Sequence, residues 1–369
     1  MAGLYIHIPF CKSRCIYCGF YSTTALNMRQ LYIDAVCREM EIRRSESSIG
    51  TIYLGGGTPS QLTTEQLGKL FESVYNHYQI EKNPEVTIEM NPDDVTSEYA
   101  ATLSQQGINR VSMGAQTFDD RRLRFLHRRH SAAQVAQAVS LLREAGIQNI
   151  SIDLMYGFPG ETLDDWIHDI DAALALNVEH ISAYCLMVEE GTVLYEQFRD
   201  KSLEFSVDEE LERQMYFTLI DRLTAAGYEH YEISNFAKQD FRSKHNSNYW
   251  CDIPYLGLGA AAHSYDGHCR QWNVSNIRVY IEAIERGEVP CEKEILDDNM
   301  YYNDRITTAL RTKEGLCLET LSEKYRNYCL QEAQRYIDQG WLTLSDGHLT
   351  LTRQGLFVSD DIMSSLIYI

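Results

Sequence analysis

Three cysteines, Cys11, Cys15 and Cys18, stand in the run Tyr5-Ile6-His7-Ile8-Pro9-Phe10-Cys11-Lys12-Ser13-Arg14-Cys15-Ile16-Tyr17-Cys18. Thiolate sulfur is the ligand of iron–sulfur clusters, and a cubane cluster has four irons to satisfy. Three closely spaced thiolates leave one iron open, and an open metal position is where a substrate can bind. The competing reading is a partial zinc site. A zinc knuckle brings a second ligand pair with its own short spacing, and none of the remaining cysteines is so paired. A [4Fe-4S] cluster on Cys11, Cys15 and Cys18 is the expected chemistry.

Further polar residues follow at intervals that suit one shared site. Gly55-Gly56-Gly57-Thr58-Pro59 is not a phosphate-binding P-loop, because no Lys-Ser/Thr follows the glycines. Glycine here lets backbone approach a ligand and present carbonyls to a cationic group. Glu89, in Ile88-Glu89-Met90-Asn91-Pro92, could accept hydrogen bonds from an ammonium or a ribose, or simply sit near a helix N-terminus. Gln116 lies in Gly114-Ala115-Gln116-Thr117-Phe118, Arg128 on the helix after it, and Asp153 ahead of Gly157-Phe158-Pro159-Gly160. Any one of these could be a satisfied structural group; several at successive strand ends point to a common ligand.

Short apolar segments at 4–8, 51–54, 85–89, 110–113, 150–155 and 180–186 read as the strands that carry these residues. Periodic stretches at 28–44, 64–78, 97–106, 132–145 and 163–176 read as the helices between them, with Gly107 and Gly146 at C-cap positions. Such alternation makes parallel strands with helices outside. The expected fold class is α/β. Six units suit an open, partial (β/α)6 TIM-like barrel, although strand counting alone also allows a doubly wound sheet. After residue 186 the rhythm stops. A helix at 211–226, a strand at 228–236 and a Gly/Ala-rich apolar stretch at 256–262 belong to an irregular extension. Helical runs at 299–311, 318–325 and 330–339 then precede two short apolar runs on either side of Asp346-Gly347, a hairpin signal. This is the outline of a small winged-helix-like domain. The expected divisions are 1–230, 231–298 and 299–369.

The formal net charge is −20. A polyanionic surface repels nucleic acid, whose binding rests on Lys and Arg neutralising phosphates, so no nucleic-acid partner is expected. The basic run from Arg121-Arg122 to Arg128-Arg129 is the local exception. No window approaches the ~18 apolar residues of a membrane span. With the first strand starting within a few residues of Met1 and three cysteines kept as thiolates, a reducing cytoplasm is the expected location.

The cysteine spacing, the aromatic Tyr17 within it and the Gly-Gly-x-Thr-Pro run one unit later resemble the radical S-adenosylmethionine (SAM) superfamily, whose cores are usually (β/α)6 barrels. In it the amino and carboxylate groups of SAM chelate the open iron. The runs 5–11, 55–59, 88–92, 112–118 and 157–160 are similar, more narrowly, to the oxygen-independent coproporphyrinogen III oxidase family, and the likeness covers essentially the whole chain. That resemblance implies SAM contacts at Tyr5, Tyr17, Gly56, Gly57, Thr58, Glu89, Gln116, Arg128 and Asp153. Two features divide the family. The oxidases carry a fourth cysteine two residues after the third, where this chain has Phe20. His245-Asn246-Ser247-Asn248-Tyr249-Trp250 resembles the HNxxYW signature of the heme-chaperone branch, whose histidine is implicated in heme binding. Gly19 is a small departure, since many members of that branch have aspartate there.

An imidazole nitrogen can serve as an axial ligand of heme iron, and Tyr249 and Trp250 can offer apolar faces to a porphyrin. A histidine beside aromatics is also commonly an ordinary packed group, and His263 and Cys251 are competing ligands. The implied function is a chaperone that binds heme, a [4Fe-4S] cluster and SAM and transfers heme to an apo-hemoprotein, such as a membrane respiratory enzyme. Coproporphyrinogen oxidase activity is not expected, and no catalytic residue is assigned. The alternative is an oxygen-independent coproporphyrinogen III dehydrogenase. A homodimer, and peripheral membrane attachment during delivery, are compatible with the resemblance.

Overall fold

The computed structural model describes residues 2–201 and 208–369. The first strand, β1 (Ala2–Ile8), shows how the sequence builds the core. Successive side chains of a strand point to opposite faces, so Leu4, Ile6 and Ile8 enter the apolar core while Tyr5 and His7 face the other way. The chain then alternates through α1 (Arg29–Ile42), β2 (Ser45–Gly56), α2 (Thr64–His77), β3 (Tyr78–Met90), α3 (Ser97–Gln105) and β4 (Arg110–Gln116). It continues through α4 (Asp120–Phe125), α5 (Ala132–Glu144), β5 (Asn149–Tyr156), α6 (Leu163–Ala175) and β6 (His180–Cys185). Helix starts are set locally. Thr63 and Gln66 form a reciprocal capping box on α2, as do Thr162 and Asp165 on α6. In α2 the buried Leu67, Leu70, Phe71 and Val74 recur at helical spacing and pack on the sheet.

Strands β1 to β6 pair in parallel in chain order. This is the expected partial barrel, and its strand order is linear, so the sheet stays open. The segment expected to be irregular is more regular than the sequence suggested. After α7 (Val193–Arg199) and α8 (Glu209–Ala225), a short hairpin of β7 (Glu229–Glu232) and β8 (Asn235–Ala237) adds antiparallel to β6. The single strand expected at 228–236 is thus two strands around a turn, and a division at 230/231 falls inside β7. Following α9 (Lys244–Trp250), strand β9 (Tyr255–Leu258) pairs with the opposite edge, parallel to β1. The sheet grows outward from there through β10 (His263–Tyr265) and β11 (Cys269–Asn273) to β12 (Cys291–Ile295), with α10 (Ile277–Glu285) between the last two. A buried carboxylate pins this extension to α1. Glu39 accepts hydrogen bonds from Gly259 N at 2.8 Å, Asn273 Nδ2 at 2.8 Å and Tyr280 Oη at 2.6 Å.

The C-terminal region has its own apolar cluster, centred on Tyr302, Ile306, Leu316, Cys329, Leu349 and Ile362. It comprises α11 (Asp298–Ala309), β13 (Leu316–Cys317), α12 (Glu323–Asp338), β14 (Leu342–Ser345), β15 (His348–Leu351), α13 (Arg353–Phe357) and α14 (Ser359–Leu366). The expected hairpin is present. Asp346 and Gly347 both adopt left-handed φ, 49° and 75°, which suits a two-residue turn joining twisted strands. The helix expected at 318–325 is instead a 3-10 turn at Leu318–Thr320 followed by the start of α12.

Candidate functional site

The loop carrying the cysteines leaves β1 at Ile8 and is closed at its base. Cys11 N donates to Thr23 O at 2.9 Å and Thr23 N to Pro9 O at 2.7 Å. Ile16 is the loop's anchor. It is buried in a small apolar cluster with Leu126, Met155, Phe158, Leu186 and Leu194, against which Tyr17 also packs. Its backbone bonds Leu126 O and Leu194 N. Cys11, Cys15 and Cys18 are half-buried free thiols. Burial pushes the Cys11 and Cys18 thiols up, partly offset at Cys11 by Thr58, whose hydroxyl lies 3.4 Å from the sulfur. Lys12 and Arg129 both pair with Asp94, at 2.9 and 3.1 Å, tying the loop to the exit of β3.

Arg128 reaches back over the strand ends. Its guanidinium donates to Cys15 Sγ at 3.6 Å, to Asn91 Oδ1 at 2.7 Å and to the Gly114 carbonyl. Its Nε is buried without a partner. Two other arginines of the basic run are neutralised by nearby carboxylates. Arg121 pairs with Asp119, and Arg122 lies near Glu161, Asp165 and Asp169.

The remaining expected residues share one layer. Strand register sets Tyr5 beside Tyr53, Glu89 beside Ser112, and Asp153 between Gly114 and Ser182. Glu89 accepts from Tyr53 Oη at 2.8 Å and Gly56 N at 3.0 Å. Burial raises its pKa to about 7, the Tyr53 bond working against the rise. Burial likewise raises Asp153 to about 6, with Ser182 and the cations Arg110 and Arg128 opposing. Gln116 ends β4 with φ at +66°, a left-handed backbone that non-glycine residues adopt at a cost. The glycines of the 55–57 run answer to the protein's own packing. A Cβ on Gly56 would lie 2.5 Å from the His7 ring, and one on Gly57 2.7 Å from the Pro9 backbone.

The HNxxYW run forms α9, whose first turn is held by Glu85 on β3. The carboxylate accepts from Lys244 N at 3.0 Å and His245 N at 2.9 Å, satisfying donors that a helix start leaves free. His245 is 1% exposed. Thr51 Oγ1 lies 2.8 Å from its Nδ1 and Tyr249 Oη 2.8 Å from its Nε2, so both ring nitrogens are engaged. Its ring stacks on Tyr53 at 5.0 Å, and burial lowers its pKa to about 3. The expected heme ligand is therefore a neutral, packed histidine with no nitrogen open to iron in this arrangement. Tyr249 and Trp250 do reach a cavity of about 1000 Å³ between β1, the return of the cysteine loop, β10 and α11. His263 also lines it; Cys251 does not.

Comparison with known proteins places this geometry. The model of the radical SAM superfamily matches residues 5–173, and that of the HemN C-terminal domain matches 296–358. The heme chaperone HemW of Bacillus subtilis (strain 168) is 35% identical across 100% of this chain and 99% of its own. That of Mycobacterium tuberculosis (strain ATCC 25618 / H37Rv) is 33% identical across 99% and 94%. The chain belongs to the HemW family. The fold is that of Escherichia coli HemN, a coproporphyrinogen III oxidase and radical SAM enzyme, with a TM-score of 0.86 at 21% identity over 99% of this chain and 90% of that one.

Radical SAM membership brings a [4Fe-4S] cluster and SAM, and the residues present fit both. Three thiols on one loop are the right donors for three irons. Among the described residues, no three His, Cys, Asp or Glu side chains converge as ligands of a single ion. Thiolates on different irons of a cubane stand farther apart than ligands that share one metal. The unpartnered Arg128 Nε and the two carboxyls with raised pKa, Glu89 and Asp153, are what a site awaiting a charged ligand displays. Sequence reasoning missed Asn91, which orients Arg128, and the buried Arg110, whose charge offsets both carboxyls. Neither residue stands out in the sequence by type or spacing.

Proposed function

We propose that this chain is a heme chaperone. On this reading Cys11, Cys15 and Cys18 hold the cluster, and SAM lies over the strand ends. Tyr5, Tyr17, Gly56, Gly57, Thr58, Glu89, Gln116, Arg128 and Asp153 would be the residues that hold it. A bound cluster supplies an open iron for the amino and carboxylate groups of SAM. The chain's own contribution is to bind and orient. Arg128 donates to Cys15 Sγ, and the Glu89 and Asp153 carboxylates, once ionised, accept from cationic or hydroxyl groups. The buried floor of the layer excludes water, which strengthens those contacts.

The observation that carries the chaperone reading is the cavity beside this loop. At about 1000 Å³ it has room for a ligand of porphyrin size, and aromatic rings and arginines share its wall. Phe20 lines it at 71% exposure, at the position where the oxidases place a fourth cysteine. Heme held there would pass to an apo-hemoprotein, a membrane respiratory enzyme being the client in view. Among the described residues no helix is long and apolar enough to cross a membrane.

The test is a hemin titration of the anaerobically reconstituted protein, followed by gel filtration and incubation with an apo-hemoprotein. Saturable hemin retention and transfer to the acceptor are expected. Absence of retained hemin, together with decarboxylation of coproporphyrinogen, would replace the chaperone with the dehydrogenase.

A further inference from the structure

Two histidines line the cavity, His7 and His263. An axial ligand needs a free ring nitrogen, and His7 has none. Its Nδ1 accepts from Tyr5 Oη at 3.0 Å and its Nε2 donates to Tyr21 O at 3.0 Å. His263 differs from it and from His245. It sits on β10 with its side chain exposed to the cavity, stacks on Trp272 at 6.2 Å, and makes no hydrogen bond through either nitrogen among the described residues. Partial burial and the neighbouring Arg270 lower its pKa, which favours the neutral imidazole, the form that binds metal. Tyrosines also line the wall, but burial raises the pKa of Tyr249, Tyr255 and Tyr265 and so disfavours phenolate ligands.

The charges on the wall suit a dianionic porphyrin. Asp304 is paired with Arg270, and Asp252 accepts from Tyr265 and Tyr301, so both acidic groups are already engaged. Arg14 and Arg305 line the same cavity and make no ion pair among the described residues. A guanidinium is suited to binding carboxylates in a bidentate fork.

We propose that His263 is the axial ligand of the heme, that Arg14 and Arg305 receive its propionates, and that His245 acts only as a positioning residue. This rests on the chaperone reading. The route from His245 to the wall is continuous. Its Nε2 holds the Tyr249 hydroxyl, and the Tyr249 ring packs edge-on against Tyr255 at 4.6 Å, both tyrosines lining the cavity. The signature histidine thus shapes the porphyrin wall from behind.

Hemin titrations of the full chain, read by Soret position and by electron paramagnetic resonance, separate these roles. His263→Ala should weaken hemin binding at least tenfold and lose the imidazole-ligation signature, and added imidazole should restore it. His245→Gln, which keeps hydrogen-bonding groups for Thr51 and Tyr249, should weaken binding but retain that signature. Arg305→Ala should reduce the preference for hemin over its dimethyl ester. If His263→Ala leaves the spectrum and affinity of a hemin-binding wild type unchanged, the ligand assignment is wrong and the chaperone reading stands. If the wild type retains no hemin, the chaperone reading falls and the assignment with it.

Discussion

Glu89→Gln isolates what the fold gives up for its ligand. In the free protein the carboxyl pKa rises from an ordinary 4.5 to about 7, with burial the main cause. The sign follows from proton counts. Below pH 4.5 the group is protonated in both folded and unfolded chains and contributes nothing. Between 4.5 and about 7 the unfolded chain ionises while the folded one keeps its proton, so stability falls as pH rises. Above pH 7 the penalty is constant, at about 3 kcal/mol by ~1.4 kcal/mol per pKa unit. Glutamine keeps the local hydrogen bonds: its carbonyl can accept from Gly56 N, and its amide can donate to Tyr53 Oη if that hydroxyl reverses. The variant should therefore match the wild type near pH 4.5 and exceed it by up to about 3 kcal/mol at pH 8. Urea unfolding of the cluster-free protein across that range measures the difference. SAM binding to the reconstituted variant should be weaker, because the ionised carboxylate is gone. A stability difference that is flat with pH would refute the buried-carboxylate argument.

Three further changes probe the loop and the motif helix, and a fourth measurement probes their coupling. Cys15→Ser should lose the brown absorbance near ~400 nm after anaerobic reconstitution, with iron and sulfide assays as the check. Ile16→Ala should cost roughly 2–5 kcal/mol of local packing under the loop, read as faster loss of iron from the reconstituted protein at unchanged far-UV dichroism. His245→Ala removes the ring that pairs with the hydroxyls of Thr51 and Tyr249 and should destabilise the free protein by roughly 2–4 kcal/mol at pH 7.5. Because the folded His245 stays neutral down to about pH 3, the wild type's advantage should shrink as pH falls below 6.5, where only the unfolded imidazole protonates. Reconstitution with the cluster should raise hemin affinity, and hemin should raise cluster retention by the same factor; calorimetry of both arms measures it.

What could be read in the sequence and what could not separates along contact range. Strands β1 to β6 and their helices were legible because each is a local run with its own period and its own caps, such as Thr63 with Gln66. The three cysteines could be read as one group because they fall within one loop. The 228–236 run concealed two strands because the turn at Ile233-Ser234 carries no Gly or Pro to mark it. Strands β11 and β12 were missed because they lie toward the sheet edge. Glu292, Lys293 and Glu294 occupy successive positions of β12, the charged composition that keeps an edge from pairing further. The packed setting of His245 was not legible for a different reason. Its type and neighbours suit a metal, but its partners Thr51 and Glu85 come from β2 and β3, and nothing local announces them. The cavity is the extreme case, with walls from stretches of chain spread between Tyr5 and Thr308.

The cysteine loop and the cavity are joined through shared residues, which gives the cofactors a physical route to the cargo. Gly19, Phe20, Tyr21 and Ser22 are the return of the loop and also part of the cavity wall. Tyr21 is tied at both ends: its carbonyl accepts from His7, and its hydroxyl accepts from Ile277 N at 2.7 Å. Tyr5 serves twice as well, since it lines the cavity and packs against Tyr53, which holds Glu89. Coupling between two sites requires an element on which both ligands have differential contacts. Residues 11–22 would meet that condition: three thiolates held on one cluster would restrict the same stretch whose far end lines the cavity. A fourth cysteine at position 20 would turn that far end toward sulfur chemistry, whereas Phe20 gives it an apolar ring. In this chain the loop that carries the three cysteines also completes the cavity, so on the proposed reading cargo binding would be coupled to the cofactors through residues 11–22.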